Sequence, residues 1–532
     1  MALRYDRLHR GQIRLLRLTT QTDCKDGAMA KTRLALVIYS LGQQMPSFTA
    51  LSYVWGDAKD TVTLSYAGGT ASMTRNLRAI LECLVSSGSR DKLVWIDALC
   101  INQADIAERS DQVQLMGDIY SRASPVLVFL STISGPYELG LGFLKQAAEH
   151  PDRHYEPSHM TLPSDRDSDA LRDSVVAVFA APWWTRVWTV QEFVLGSSVV
   201  FRFGALEMDE GMLLAAFASL RHHESGCCWT GRQSKGYIDV PSEAHGGLSL
   251  FQATLRLDQL HVMRSADDFG TRSLLGALTM FRTRQCVDAR DHIYGMLGLD
   301  LGGELEDLKA RISIDYSLSP AELFADVACA MIQQSGNLDI LSHVCQYPSA
   351  RGRLGRLPSW VPDWTATVDE TFHYWYSERT RRTALTNAAG DSSAVWKRVG
   401  EKMVSTRAMT MGIITDTAAG YPISNASSSG QELLDEWREL FDRRCNEIDC
   451  SLVHGGGGHN VKPTDSEFGQ MISGCCTRKD WVDEPGRHDE AFADWSHWFA
   501  HQDPGALPEH TRQNSRGFDD LVKATALERP SG

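Results

Sequence analysis

Over its first 205 residues the chain alternates short apolar runs with amphipathic helical stretches, and this constrains the fold more than any other feature. Residues 48–55 (FTALSYVW) read as a strand that ends at Gly56 and Asp57. A second short strand is predicted over 62–66, followed by a turn at Gly68 and Gly69. Residues 76–85 carry Leu77, Ile80, Leu81 and Leu84 at helical spacing. The run 93–97 (LVWID) reads as a buried strand, and Asp105 with Glu108 reads as a capping box opening a helix through Ala123. Residues 125–130 (PVLVFL) give another buried strand. Helical stretches over 170–181 and 183–195 are split by Pro182, and a strand over 198–203 closes the region. Buried strands alternating with helices predict an α/β fold with a parallel sheet covered by flanking helices. Ligands of such sheets bind beyond the carboxyl ends of the strands, so Asp57 and Asp97 rank above polar residues elsewhere.

After residue 205 the pattern is mainly helical. Ser319, Pro320 and Glu322 mark a helix start, with Leu323, Phe324, Val327, Met331 and Ile332 behind it and Gly336 as its stop. Three regions are expected: 1–205, a helical region over 206–380, and a C-terminal region over 381–532. Small-residue linkers lie at 387–393 and 424–430, a glycine-rich segment at 454–466, and a tail at the end. With 43% apolar and 23% charged residues the chain is globular in composition. A net charge of −14 argues against a nucleic-acid partner. Twelve scattered cysteines suit a reducing compartment, and the expected location is the cytoplasm. The arginine-rich first residues read as an ordinary first strand and loop, and no apolar run is long enough to span a membrane.

Three blocks go beyond general patterning. They are 48–57 (FTALSYVWGD), 93–130 (LVWIDALCINQADIAERSDQVQLMGDIYSRASPVLVFL) and 182–195 (PWWTRVWTVQEFVL). In order and spacing they resemble the heterokaryon-incompatibility (HET) domain of filamentous fungi. Residues 287–299, Asp315, Tyr316 and 357–364 look like segments that accompany such domains. The resemblance implies a protein of allorecognition and programmed cell death. It also implies kinship with Toll/interleukin-1-receptor-like (TIR-like) domains, which share a flavodoxin-like sheet. Several of those cleave the nicotinamide–ribose bond of NAD with one glutamate, so NAD is the implied substrate and no resident cofactor is expected. A second copy of the chain, another incompatibility protein or a small nucleotide are the implied partners. Two other readings stay open: a non-enzymatic signalling module that oligomerises, and a secondary-metabolism enzyme on the same scaffold.

Glu192 is the leading catalytic candidate, because a carboxylate stabilises an oxocarbenium-like state. Trp183, Trp184 and Trp188 before it are a candidate stacking wall. The competing reading makes Glu192 a structural partner of Arg186 or Arg109. Asp97 joins Glu192 as a catalytic candidate. Asn102, Gln103 and Arg109 follow it before a helix N-terminus, where phosphates meet free N–H groups and a guanidinium clamps them. Arg109 paired with Glu108 or Asp105 is the alternative. Tyr53, Trp55, Gly56 and Asp57 form an expected ligand rim, with Arg186 and Trp188 as further ligand-binding candidates. Cys100 reads as a buried structural thiol. Arg290, Asp291 and His292 are expected to tie the helical region to the first region by an ion pair. No metal site is expected: Cys445, Cys450, His454 and His459 have no standard zinc spacing. Phosphate-loop, dinucleotide, zincin and esterase motifs are absent from the sequence.

Overall fold

The computed structural model describes residues 5–20, 32–42, 45–66, 69–86, 91–152, 165–225, 250–265, 273–301, 307–309, 311–345, 354, 357–366, 393–400, 403–406 and a few positions near 434–439 and 492–493. The expected linkers at 387–392 and 424–430, the glycine-rich segment, the tail and the four zinc-like residues lie outside the described residues. The chain divides into two compact units. One comprises residues 1–222, 237–334 and 363–365; the other comprises 223–236, 335–362 and 366–532.

The first unit opens with strands β1 (Gln12–Thr20), β2 (Thr32–Ser40), β3 (Thr49–Tyr53), β4 (Thr61–Tyr66) and β5 (Gly69–Thr74), then helix α1 (Arg75–Ser86). It continues through β6 (Asp91–Trp95), α2 (Asp97–Cys100), α3 (Ile106–Arg122), β7 (Val126–Ser131), α4 (Glu138–Glu149) and α5 (Asp165–Ala180). A short 3-10 turn at Pro182–Thr185 leads into α6 (Trp188–Val194), β8 (Val199–Phe203), β9 (Leu206–Asp209) and α7 (Glu210–Ser225). Helices α8 (Leu250–Ser265), α9 (Leu274–Met280), α10 (Asp291–Leu297) and α11 (Pro320–Ser335) follow. In the second unit the described elements include helix α12 (Ser342–Cys345) and the antiparallel hairpin β10 (Trp396–Val399) and β11 (Met403–Thr406).

Seven strands form the central sheet in the order β2-β1-β6-β3-β7-β8-β9. Its middle is parallel: β6 on β3, β3 on β7, and β7 on β8. Taken in chain order, these four strands lie second-first-third-fourth, the flavodoxin type of doubly wound sheet. The α/β fold with flanking helices is therefore present. The sheet is not parallel throughout, because β1 and β2 add an antiparallel hairpin at one edge and β9 an antiparallel strand at the other. The first strand expected near the N-terminus is present as β1, and Ile13, Leu15, Leu16 and Leu18 are buried because it lies between β2 and β6. The strand expected at 62–66 pairs only with β5, as a separate hairpin.

Local signals place the elements closely. Asp105 caps α3 by accepting the Glu108 N–H at 3.1 Å. Glu108 does not complete the box, because its carboxylate grips the buried Arg14 and accepts the Asn102 N–H at 2.7 Å. At α11 the box is reciprocal: Ser319 N–H donates to Glu322 at 2.9 Å, and Glu322 N–H to Ser319 Oγ at 3.3 Å. Gly336 ends that helix at φ +66°.

Helices α4 and α5 meet at Gly140, where a Cβ would stand 2.6 Å from the Ser174 carbonyl carbon and oxygen. Gly140→Ala is expected to destabilise the protein by about 1–3 kcal/mol despite alanine's better helix propensity. A lowered urea midpoint at unchanged slope checks this.

Candidate functional site

β3 is buried from Ala50 to Tyr53, and its carboxyl end lies beside the point where the chain switches direction along the sheet. One of its buried side chains is polar. Ser52, 1% exposed, donates its hydroxyl to the Glu192 carboxylate on α6. The Trp183 indole N–H donates to Ser52 Oγ at 2.6 Å. Glu192 is 5% exposed, with the Tyr120 hydroxyl alongside. Burial pushes its carboxyl up to about 7, opposed by the Arg186 charge and the Ser52 hydrogen bond. Glu192 therefore exchanges a proton near neutral pH.

Asp97 follows β6, the neighbouring strand, and opens the short helix α2. It is half-buried, and one oxygen accepts the Trp55 indole N–H at 2.6 Å while the other accepts the Ala98 N–H at 2.7 Å. Burial raises its pKa, and these hydrogen bonds with the Arg186 charge oppose the rise. Arg186 donates to the Tyr53 carbonyl at 2.9 Å, and its charge acts on both Asp97 and Glu192. The Tyr53 hydroxyl sits beside Asp97, buried, without a well-formed hydrogen bond, and burial raises its pKa well above the usual phenol value. One cation, two carboxylates and an unsatisfied hydroxyl thus meet at the carboxyl ends of β3 and β6, with Trp55 half-exposed at the rim.

The structure therefore brings together Tyr53, Trp55, Asp97, Arg186 and Glu192. Gln103 stays beside them, donating to the Asp97 carbonyl at 3.0 Å. Asn102 shapes the turn into α3, accepting the Ala104 N–H at 3.3 Å. Gly56 lets the chain leave β3 at φ +79°, a left-handed conformation that favours glycine. Asp57 is exposed and caps a turn through the Lys59 N–H.

Two candidates lie in a different cluster. Arg109 stacks its guanidinium on the Tyr316 ring, 4.4 Å from the centroid, and pairs with neither Glu108 nor Asp105. Trp188 donates its indole N–H to Asp291 at 3.1 Å, and Tyr316 donates its hydroxyl to the same carboxylate at 2.8 Å. Burial pushes the Asp291 carboxyl up to about 6. The expected ion pair through Arg290 is replaced by these hydrogen bonds: Arg290 pairs instead with Asp288 at 2.6 Å, two residues away. His292 is buried, and desolvation lowers its pKa to about 4. Trp183 and Trp184 are no stacking wall either. Both are fully buried, packed edge to face at 4.9 Å and against Phe201. Cys100 is a buried thiol raised to about 12, as its structural reading requires. Among the described residues no His/Cys/Asp/Glu group is arranged to hold a metal, and no helix is long and apolar enough to cross a membrane.

Ser52 and Tyr120 were not legible as site residues. The faint signal for Ser52 is a small hydroxyl within an otherwise apolar run, LSYVW, three positions before Trp55 at the rim.

A doubly wound α/β domain with its polar motif residues gathered at one sheet edge is the class that these observations define. Residues 48–192 match the family model described as heterokaryon incompatibility protein (HET). It is similar to heterokaryon incompatibility protein 6, OR allele, of Neurospora crassa: 29% identical over 378 residues, covering 62% of this chain and 54% of the relative. The chain thus matches about half the length of that curated relative. No solved structure matches it.

Proposed function

We propose that this chain acts in fungal heterokaryon incompatibility, in the cytoplasm, and that its HET domain cleaves the nicotinamide–ribose bond of NAD at the Asp97–Arg186–Glu192 cluster. The observation that carries this reading is the convergence of two carboxylates with raised pKa values at the carboxyl edge of a flavodoxin-type sheet. In the proposed reaction the C–N bond breaks and its electron pair leaves with nicotinamide. Asp97, the more open carboxylate, stabilises the positive charge that develops on the ribose. Water attacks the ribose carbon, and Glu192, titrating near 7, takes its proton. Arg186 keeps the two carboxylates together and holds part of their charge in check. The kinship with TIR-like domains supports this substrate and is an argument from resemblance.

A second reading is favoured by one observation: Glu192 is 5% exposed and held by Ser52. On that reading the cluster is structural, and the HET domain signals by recruiting a second copy or another incompatibility protein. Incubation of the purified chain with NAD, with chromatographic separation of nicotinamide and ADP-ribose, separates the two. Equimolar release of both products is expected. An inert chain leaves the signalling module.

A further inference from the structure

The HET family match ends at residue 192, yet the loop that aims Arg186 is fastened from outside it. Residues 185–187 pair in parallel with Gln285: Gln285 N–H donates to the Thr185 carbonyl at 2.5 Å, and Val187 N–H to the Gln285 carbonyl at 3.0 Å. The preceding residue, Arg284, is 3% exposed. Its guanidinium donates to Thr189 Oγ1 at 3.0 Å, to the Arg186 carbonyl at 3.4 Å and to the Arg256 carbonyl at 3.3 Å on α8. Thr189 completes the knot: its Oγ1 lies 2.8 Å from the Arg186 carbonyl and 3.1 Å from the Trp183 carbonyl, and its one hydroxyl proton is shared between them. The Arg186 backbone is thus clamped from two sides, while its side chain reaches Tyr53.

We infer that Arg284 is a positioning residue of the HET site: its fork fixes the 185–189 turn and so holds the Arg186 guanidinium at the Tyr53 carbonyl, near Asp97 and Glu192. The working unit of the domain then extends beyond its family boundary to the 281–287 segment. This rests on reading the cluster as the working site, but its test does not require that the chain cleave NAD. A planar fork that spans three acceptors is a geometry lysine does not reproduce, so Arg284→Lys keeps the charge and loses the clamp.

The test is an infrared titration of Glu192 in the full chain. The protonated carboxyl band of Glu192 is isolated as the difference between each protein and its Glu192→Gln counterpart. The groups that face Glu192 are Arg186, Asp97, Tyr53, Tyr120 and the Ser52 hydroxyl, and Arg186 is the cation among them. If Arg284 holds Arg186 in place, Arg284→Lys raises the Glu192 midpoint from about 7 by at least ~0.5 pH unit, and Arg186→Gln raises it in the same direction. An unchanged midpoint in a folded Arg284→Lys protein overturns the inference. If that variant does not fold, Thr189→Val removes the shared acceptor and is read by the same two outcomes. Absence of NAD cleavage by the wild type would count against the proposed reaction and leave the titration result standing.

Discussion

At pH 8 the Glu192→Gln variant is expected to melt above the wild type while releasing nicotinamide at least about a hundredfold more slowly. The two effects have one cause. Burial raises the Glu192 carboxyl to about 7 against the attraction of Arg186. A carboxyl whose folded pKa lies above its unfolded value contributes most stability when protonated, below the unfolded value near 4.5. That contribution is lost as pH rises through about 7, by an amount on the order of 3 kcal/mol. Glutamine has the shape of the protonated form and carries no charge, so the variant keeps the contribution at pH 8. Near pH 4 the two proteins should melt alike. The same substitution removes the proton acceptor of the proposed reaction. Melting temperature between pH 4 and pH 8, with nicotinamide release at pH 8 on the same preparation, checks both halves. A variant that melts lower at pH 8 would show that Glu192 is held as a charged structural partner of Arg186.

The second large effect is expected at Trp183. Its ring is fully buried between Trp184 and Phe201, and its N–H supports Ser52 beneath the site. Trp183→Ala should cost about 3–5 kcal/mol through the cavity and the lost aromatic contacts. Trp183→Phe keeps most of the packing and deletes only the donor to Ser52, so it should cost about 1–2 kcal/mol. Urea midpoints of the two variants give the ratio. Equal, small losses in both would mean that the cluster around Trp183 relaxes into the space left behind.

What was legible in the sequence was local. Alternating apolar runs located β3, β6, β7 and β8, and the caps at Asp105 and Ser319 set helix starts to within a residue. Strand ends also pointed to Tyr53, Trp55 and Asp97, because the carboxyl edge of a parallel sheet is where loops expose polar groups. What failed was partner choice across long separations. Glu108 has the spacing of a capping-box residue, but the buried Arg14 competes for its carboxylate, and a buried guanidinium left unpaired costs more than an unmade cap. Arg109 and Trp188 sit in motifs that suggest a shared ligand, yet they face Tyr316 and Asp291, which no local pattern connects to them. Aromatic clustering at Trp183 and Trp184 suits a stacking wall and a packed core equally, and only burial decides between them. The antiparallel edges were hidden because β1 has buried residues on both faces and shows no alternation.

Asp97 gives the most direct test of the claim that the carboxyl-edge cluster is the working site, because it is the half-open carboxylate, fixed at the sheet edge by the Trp55 indole and the Ala98 N–H. The measurement is nicotinamide released per folded molecule by Asp97→Asn and wild type, with melting followed on the same samples. For Asp97→Asn a fall of at least about a hundredfold is expected, at a melting temperature close to that of the wild type. A folded Asp97→Asn protein that turns over NAD at the wild-type rate would contradict it.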